Sequence, residues 1–281
     1  MIKWFYKFQG GGFVALVLAS TGALIGRPNG RNFYLLKEVV PQLRCDGLEF
    51  MFYETWHDKI EEIKSVVKSL PLPVVVFHLE KQIGEHLSYE RLDEALSIMR
   101  LNCSLARDLG AKKLVLHLWN GVISDSNINY NIEAFGKLNE IALEYGLLLT
   151  CENVVCNNKS PFVHLCTLVE KYPDISFTFD TKMAEFHKEL PLLYDEKYRH
   201  VVDNIAHLHV NDCTCAYKDW SNLRVFPVGH GIVDFDRFFS FIKEIGYDGT
   251  FTTEATCFDQ TGFIHIDRMN SCLDRIREYL K

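Results

Sequence analysis

The sequence predicts a single α/β domain over residues 1–281, folded as a (β/α)8 barrel, and three observations support this prediction. Short hydrophobic runs alternate with amphipathic runs along the whole chain. The spacing of the hydrophobic runs suits a strand followed by a helix, repeated eight times. Acid or imidazole side chains stand where six of these runs end, and parallel barrels place their chemistry at the C-terminal ends of strands. The alternative architecture is a doubly wound open sheet, which would gather such residues near one switch point.

The predicted strands are short hydrophobic runs, and some of them contain no polar residue. The run at 74–77 is continuously hydrophobic, as expected of a parallel strand that is buried on both faces. In chain order, the predicted strands cover residues 14–19, 47–52, 73–79, 114–118, 147–152, 176–180, 205–210 and 249–254.

The runs between the strands repeat apolar residues every three or four positions, which is the spacing of an amphipathic helix. One such stripe, over residues 92–106, ends shortly before Gly110, and glycine is a common residue after the last turn of a helix. Ser160 followed by Pro161 is typical of a helix start. Comparable stripes cover residues 132–145, 235–245 and 273–280.

Composition and charge narrow the class of protein. Hydrophobic residues make up 48% of the chain, which is enough for a sizeable core. The net charge is −7 and the sequence lacks a run of Lys or Arg, so we expect a partner other than nucleic acid. The nine cysteines are odd in number and lie mostly in apolar runs, which favours reduced thiols and a cytoplasmic location over a disulfide framework.

The N-terminal segment resembles a signal peptide, because Lys3 and Lys7 precede an apolar stretch at 13–25. The glycines at 10–12 interrupt that pattern, and the stretch is too short to span a membrane. We therefore assign it to the first barrel strand and expect no membrane association. Self-association into a homo-oligomer stays open.

Acids and imidazoles at the predicted strand ends form the candidate site. A carboxylate that ends a buried strand is costly without a partner. Three carboxylates and one imidazole, Glu152, Asp180, His209 and Glu254, would together suit manganese, zinc, magnesium or cobalt. Taken singly, each residue could instead pair with a lysine or cap a helix. His207 shares a strand face with His209, and we assign it to the core or to a supporting role.

The order of these motifs resembles the xylose-isomerase-like barrel superfamily, over nearly the whole chain. That superfamily contains sugar-phosphate isomerases and epimerases, ketose 3-epimerases, inosose-processing enzymes and endonuclease IV. The motifs that carry the resemblance are Glu152-Asn153, Asp180-Thr181, His209-x-x-Asp212, Gly229-His230-Gly231 and Glu254.

The resemblance implies a sugar or sugar-phosphate isomerase or epimerase that depends on a divalent metal. In the ketose epimerases the metal ligands come from strands five to eight, which correspond here to Glu152, Asp180, His209 and Glu254. The two glutamates of that set would also move the substrate proton. A metal ion in such a site would stabilise an enediolate. The expected partner is therefore a small sugar or sugar phosphate.

A second interpretation comes from His78 and His117, which lie one residue before the ends of the third and fourth predicted strands. The equivalent histidines of endonuclease IV bind an additional zinc that is bridged by the strand-five glutamate. The chain could therefore be a two-metal phosphoester hydrolase with one or two bound ions. A third interpretation is a barrel that has lost catalysis and binds a metabolite.

One position departs from the family pattern. Met183 stands where many members have a histidine three residues after the strand-six aspartate. Because a thioether is a poor ligand for hard metals, we expect no three-metal site. The sugar contacts of the known epimerases cannot be transferred intact for the same reason.

Several further residues are candidates for contacts to the substrate. Lys81 and Arg224 could bind an anionic group, and Trp119 could either form an apolar wall or pack in the barrel. His230 lies between two glycines that allow either close approach to the substrate or a turn. Asn153 is expected to orient Glu152.

Overall fold

Eight parallel strands close into a barrel in the computed structural model, which describes residues 15–281. The strands are β1 (Leu16–Ser20), β2 (Gly47–Met51), β3 (Val74–His78), β4 (Lys113–Leu116), β5 (Leu148–Glu152), β6 (Ser176–Asp180), β7 (Ile205–His209), β8 (Asp212–Thr214), β9 (Arg224–Phe226) and β10 (Thr250–Thr253). Around the barrel the strand order is β1-β10-β7-β6-β5-β4-β3-β2, and β8 pairs with β9 in a separate antiparallel hairpin.

Helices fill most connections between barrel strands. The α-helices are α1 (Leu36–Val39), α2 (Ile60–Lys68), α3 (Gln82–Ser88), α4 (Leu92–Asp108), α5 (Ile128–Glu144), α6 (Pro161–Lys171), α7 (Thr181–Phe186), α8 (Arg199–Val202), α9 (Phe235–Glu244) and α10 (Ile266–Leu280). Short 3₁₀ helices occupy Thr21–Ala23, Arg27–Asn29, Phe33–Leu35, Val40–Gln42, Glu54–Lys59, Leu190–Tyr194 and Glu196–Tyr198.

The predicted barrel is confirmed. Because β1 pairs with both β2 and β10, the sheet closes on itself, which excludes the open-sheet alternative. Each predicted strand corresponds to an observed one. The strand at 176–180 has the predicted ends, and the ends of the others differ by at most two residues. Val14, the first residue of the first predicted strand, lies outside the described residues. The hairpin of β8 and β9 was not predicted, because its strands are only three residues long and β9 is largely exposed.

Local signals in the sequence fix where individual helices begin and end. The Ser160 hydroxyl accepts a hydrogen bond from the Val163 N–H at 3.4 Å, so α6 begins at Pro161 as expected. Asp234 accepts from the Arg237 N–H at 3.0 Å and begins α9 in the same way. Gly110 has φ +88°, which ends the turn that follows α4.

Alternation along the strands divides the core into two parts. Large apolar side chains such as Phe77, Phe177 and Phe251 are fully buried in the main hydrophobic cluster. Leu18, Val76 and Val115 belong to a separate small cluster. The polar side chains of the strands contact one another inside the barrel, so that they bond to each other in place of water.

The cysteines and the helices of the described residues relate to two predictions made from the sequence. All nine cysteines lie within them and are free thiols, as the reduced-thiol prediction expected. Across residues 15–281, no helix has the length and apolar character needed to cross a membrane.

Candidate metal centre

The six predicted site residues lie together at the C-terminal end of the barrel. Four of them are the last residues of β3, β5, β6 and β7, and the other two directly follow β4 and β10. They are His78, His117, Glu152, Asp180, His209 and Glu254. All are buried except Glu254, whose side chain is 14% exposed and so faces the opening. The side chains do not point in different directions, which is the arrangement that would have favoured a barrel that has lost catalysis.

The first donor group consists of Glu152, Asp180, His209 and Glu254, with one potential ligand atom of each within 4.8 Å of the others. His209 Nδ1 lies at the centre of this group. It is 3.1 Å from Glu152 Oε1, 3.4 Å from Glu254 Oε2 and 3.9 Å from Asp180 Oδ2. Three carboxylates and one imidazole at this separation form a donor set for a divalent ion.

The second donor group consists of His78, His117 and Glu152, again within 4.8 Å of one another. His117 Nε2 lies 2.8 Å from Glu152 Oε2, and His78 Nε2 lies 3.7 Å from the same oxygen. His78 Nδ1 donates to the Leu79 carbonyl at 2.9 Å, so Nε2, which faces Glu152, is the nitrogen that could bind a metal. Glu152 is common to both groups.

Glu152 also provides the test of whether these residues fit a metal. Its Oε2 is buried and makes no hydrogen bond within the described chain, although His117 Nε2 is close. His117 Nδ1 is buried without a partner as well. A buried carboxylate oxygen without a donor is costly, and a bound cation would satisfy it. The residues therefore fit a divalent ion.

Asp180 both caps a helix and faces the donor group. Its Oδ1 accepts the N–H groups of Lys182 and Met183 at 2.6 and 3.0 Å, which begins α7. Its Oδ2 accepts from the amide of Asn211 at 3.0 Å and remains directed towards His209. The capping interpretation and the ligand interpretation thus apply to different oxygens of one carboxylate.

For Glu152 and His209, neighbouring charges and burial shift the pKa in opposite directions. Burial disfavours ionisation of Glu152, but the imidazoles of His117 and His209 outweigh it and hold its pKa well below the usual value. Burial also disfavours the charged form of His209, but the neighbouring carboxylates, Glu254 foremost, raise its pKa well above the usual value. Burial raises the pKa of Asp180. The site therefore holds strong opposing charges in a dry environment.

Lys182 is a site residue that the sequence analysis missed. Its Nζ lies 3.6 Å from Asp180 Oδ2, and its side chain is only 13% exposed. Burial acts against its charge, but the carboxylates of Asp180, Glu254 and Glu152 raise its pKa. The signal was its position two residues after a strand-ending aspartate, next to the unusual Met183.

Two further residues were missed or misassigned. Asn211 donates to Asp180 Oδ2 at 3.0 Å and to Glu254 Oε2 at 3.4 Å, so it holds two predicted ligands in place. Asn153 was expected to orient Glu152, but its amide exchanges hydrogen bonds with the backbone of Asp180 at 2.6 and 3.1 Å. Asn153 therefore joins β5 to β6 and does not hold the Glu152 carboxylate.

The residues predicted to contact the substrate lie outside the donor groups. Lys81 is exposed near His117. Burial lowers the pKa of His117 to about 4, and the charge of Lys81 acts in the same direction to a smaller extent. Arg224 is exposed on the hairpin and donates to the Ser221 and Leu223 carbonyls at 2.9 Å, and His230 is also exposed. None of these three belongs to a donor group in the described part of the chain.

Trp119 packs in the core. It is fully buried, and its indole N–H donates to the carbonyls of Val154 and Val155 at 3.2 Å. This agrees with the packing alternative for Trp119 and leaves no free face for an apolar wall around a sugar.

The glycines on either side of His230 form a turn around Asp212. Asp212 Oδ2 accepts the N–H groups of Gly229 and Gly231 at 2.9 and 2.8 Å. A Cβ on Gly231 would lie 2.3 Å from Asp212 Oδ1, so only glycine fits there. The turn accounts for both glycines without a substrate.

Gly84 on α3 packs directly against the backbone that carries His117. A Cβ at this position would lie 2.2 Å from the His117 carbonyl oxygen. We expect Gly84→Ala to lower the free energy of unfolding by about 1–3 kcal/mol through overpacking. Urea denaturation measures this loss.

The matched control is Gly136→Ala on α5, where the nearest atom would be the Tyr172 hydroxyl at 3.4 Å. Alanine is a better helix former, so this change should be neutral or stabilise by up to about 1 kcal/mol. Equal effects of the two substitutions would show that the contact between α3 and His117 is not tight.

A family model described as xylose isomerase-like TIM barrel matches residues 40–271. The chain belongs to this family. The resemblance drawn from the strand-end motifs is thereby confirmed. A curated relative, an uncharacterised protein of Methanocaldococcus jannaschii, is 28% identical over 160 residues. That match spans 53% of this chain, and only about half of the relative's length (52%).

Solved structures of sugar epimerases share this family fold. D-allulose 3-epimerase from Methylomonas sp. superposes with a TM-score of 0.70 at 16% identity, covering 94% of this chain and 98% of that one. L-ribulose 3-epimerase gives 0.70 at 18% identity, with 95% of each chain covered. A D-tagatose 3-epimerase-like protein gives 0.69 at 18% identity, covering 94% and 97%. At such identities the similarity establishes the fold, and chemical roles must come from this chain's own residues.

Proposed function

We propose that this protein is a divalent-metal-dependent isomerase or epimerase of sugars or sugar phosphates. The observation that carries the proposal is the group of Glu152, Asp180, His209 and Glu254, whose donor atoms lie within 4.8 Å of one another at four neighbouring strand ends. The names of the structural relatives, which are 3-epimerases of ketoses, support the same class of reaction.

In this proposal Glu152 and Glu254 exchange the carbon-bound proton of the substrate. One carboxylate removes the proton and the other returns it, which produces the epimer or, after transfer between carbons, the isomer. Glu254 lies at the opening and Asn211 holds its carboxylate, so it is placed to meet a substrate that enters from solvent. When bound, a divalent ion would polarise the carbonyl and hydroxyl oxygens of the substrate and lower the free energy of the enediolate.

Other polar residues would adjust the site to the charge that develops in the reaction. Lys182 places a fixed ammonium beside Asp180, where it can stabilise negative charge on a substrate oxygen. Lys81 at the rim is a candidate contact for a phosphate group. Manganese, zinc, magnesium and cobalt each suit the mixed oxygen and nitrogen donors.

Proton exchange with solvent tests the proposal directly. The protein is loaded separately with each of the four metals and incubated in deuterated water with ketoses, inososes and their phosphates. We expect deuterium at one substrate carbon and loss of that exchange after treatment with a chelator. A metal-loaded protein that exchanges no carbon-bound proton in any of these substrates contradicts the proposal.

A two-metal phosphoester hydrolase is the second candidate function. The observation that favours it is the placement of His78 and His117 at 3.7 and 2.8 Å from Glu152 Oε2, which would make Glu152 a bridging ligand.

Metal stoichiometry separates the two candidates. One tightly bound ion per chain favours isomerisation, whereas two ions that are both lost in His117→Ala favour hydrolysis. Incision of abasic DNA tests the nuclease form of the hydrolase, and no cleavage at high protein concentration would rule that form out.

A further inference from the structure

A buried carboxylate beneath the donor groups was not singled out by any sequence pattern. Glu49 lies inside β2, is fully buried and faces β7 across the barrel interior. Its carboxylate lies 2.8 Å from His207 Nε2 and 3.1 Å from His209 Nε2. Two histidines of one strand face therefore share a single acid, and one of them is a proposed metal ligand.

The contact between Glu49 and His209 decides which nitrogen of His209 is available to a metal. An ionised carboxylate only accepts hydrogen bonds, so the Nε2 of His209 must carry a proton and donate to Glu49. The other nitrogen, Nδ1, faces Glu152 and Glu254, at 3.1 and 3.4 Å from their oxygens, and it is the nitrogen that a cation held by these carboxylates would bind in place of a proton. A ring that lost its Nε2 proton would turn a lone pair towards the Glu49 carboxylate, so Nδ1 is the nitrogen that gives up its proton to a metal.

Hydrogen-bond partners also determine which ring nitrogen of His207 carries the proton. His207 Nε2 lies 2.8 Å from the same ionised carboxylate and therefore donates to it, so the neutral ring accepts the Thr250 hydroxyl at Nδ1, 2.6 Å away. The Lys113 ammonium in turn donates to Thr250 Oγ1 at 2.8 Å. Hydrogen bonds thus run in one direction from the floor of the barrel to Glu49, and each polar group has a partner.

We propose that Glu49 is a positioning residue that fixes His209 with Nδ1 as the metal-facing atom, and that Lys113, Thr250 and His207 hold Glu49 in place. This inference rests on the proposed metal centre and adds to it a role for the barrel interior. Acids that accept the second N–H of a ligating histidine fix its ring and raise its basicity. Within residues 15–281 Glu49 makes no hydrogen bond to Glu152, Asp180 or Glu254, although one of its oxygens lies within 4.8 Å of potential ligand atoms of His78 and Glu254. Its hydrogen bond to a proposed ligand is the one with His209.

The affinity for Mn²⁺, measured by titration calorimetry, tests this role without any enzymatic assay. Glu49→Gln keeps the volume of the side chain but removes its charge and one acceptor oxygen. We expect the variant to bind Mn²⁺ about 10- to 100-fold more weakly than the wild-type protein. The control is Thr150→Val, which removes a buried hydroxyl that bonds Leu114 and Thr178 inside the barrel and touches neither histidine. This control should bind Mn²⁺ as the wild type does.

The protonation state of His209 provides a second readout that a general loss of stability would not reproduce. In the Zn²⁺-loaded wild-type protein, nitrogen-15 chemical shifts should show His209 protonated at Nε2 and bound through Nδ1. This measurement needs no variant, so it decides the question even if Glu49→Gln does not fold. A proton on Nδ1 of His209 in the loaded wild type overturns the proposal.

The possible failures are distinguishable. A wild-type protein that binds neither Mn²⁺ nor Zn²⁺ refutes the metal centre and the role of Glu49 with it. A wild-type protein that binds Mn²⁺, together with a folded Glu49→Gln variant of equal affinity, refutes only the role of Glu49.

Discussion

Replacing Glu152 with glutamine is expected to weaken metal binding strongly and to slow proton exchange. Glu152 is the one residue shared by both donor groups, with Oε1 3.1 Å from His209 Nδ1 and Oε2 2.8 Å from His117 Nε2. Glutamine has the same shape, but it lacks the negative charge and replaces one oxygen with an NH₂ group. We expect kcat/KM for exchange to fall by about 10³-fold or more, since loss of a proton-transfer group alone costs about 10²- to 10⁴-fold.

Two measurements separate the roles of Glu152. Titration calorimetry with Mn²⁺ reports its role as a ligand, and deuterium incorporation at saturating metal reports its role in proton transfer. The control is Glu189→Gln, which alters another buried carboxylate whose oxygen accepts the Phe162 N–H and which belongs to neither donor group. It should leave both measurements unchanged. Wild-type metal affinity in folded Glu152→Gln would remove Glu152 from the proposed ligands.

The ligand set was predictable because its signals are local. Each of Glu152, Asp180 and His209 ends a hydrophobic run, and the barrel brings strand ends to one rim whatever the details of packing. The strand boundaries alone therefore identify the residues that lie at this rim. The same reasoning placed His78 and His117 near Glu152, and the structure brings them within one donor group.

Glu49 could not be found in this way, because its signal is not local. It stands in the middle of a buried strand, and its partners His207 and His209 lie 158 and 160 residues further along the chain. Only closure of the barrel brings β2 and β7 face to face across the interior. A charged residue inside a hydrophobic run therefore indicates a buried partner, but the sequence does not identify that partner.

Trp119 shows a different limit of strand patterns. It follows His117 by two residues, and continued alternation would place both side chains on the inner face. However, β4 ends at Leu116, so the backbone no longer alternates and the indole turns to the Val154 and Val155 carbonyls. An error of two residues at a strand end is thus enough to reassign a side chain from the site to the core.

Asp212→Ala is expected to cause the largest loss of stability outside the donor groups. The Asp212 carboxylate is fully buried and accepts four backbone N–H groups. They belong to Cys213, Gly229, Gly231 and Val233, at 2.8, 2.9, 2.8 and 3.2 Å. Alanine would leave these donors without an acceptor in a place that water enters poorly. We expect the free energy of unfolding to fall by about 3–4 kcal/mol, because each buried unpaired donor costs about 1–3 kcal/mol and relaxation recovers part of it.

We expect the loss of stability in Asp212→Ala to arise in the segment that Asp212 holds, and hydrogen exchange can test this. Amide protons of residues 229–233 should exchange faster in Asp212→Ala than in the wild type, and urea denaturation gives the total loss. Asp212→Asn should fall between the two, since its amide keeps one acceptor oxygen. The control is Asp219→Ala, a partly exposed aspartate that caps a turn of the same hairpin region, for which we expect a loss below about 1 kcal/mol. If Asp212→Ala costs no more than Asp219→Ala, the turn is not held by this carboxylate. In that case the glycines at 229 and 231 would need another explanation, and close approach to a substrate would again be the leading one.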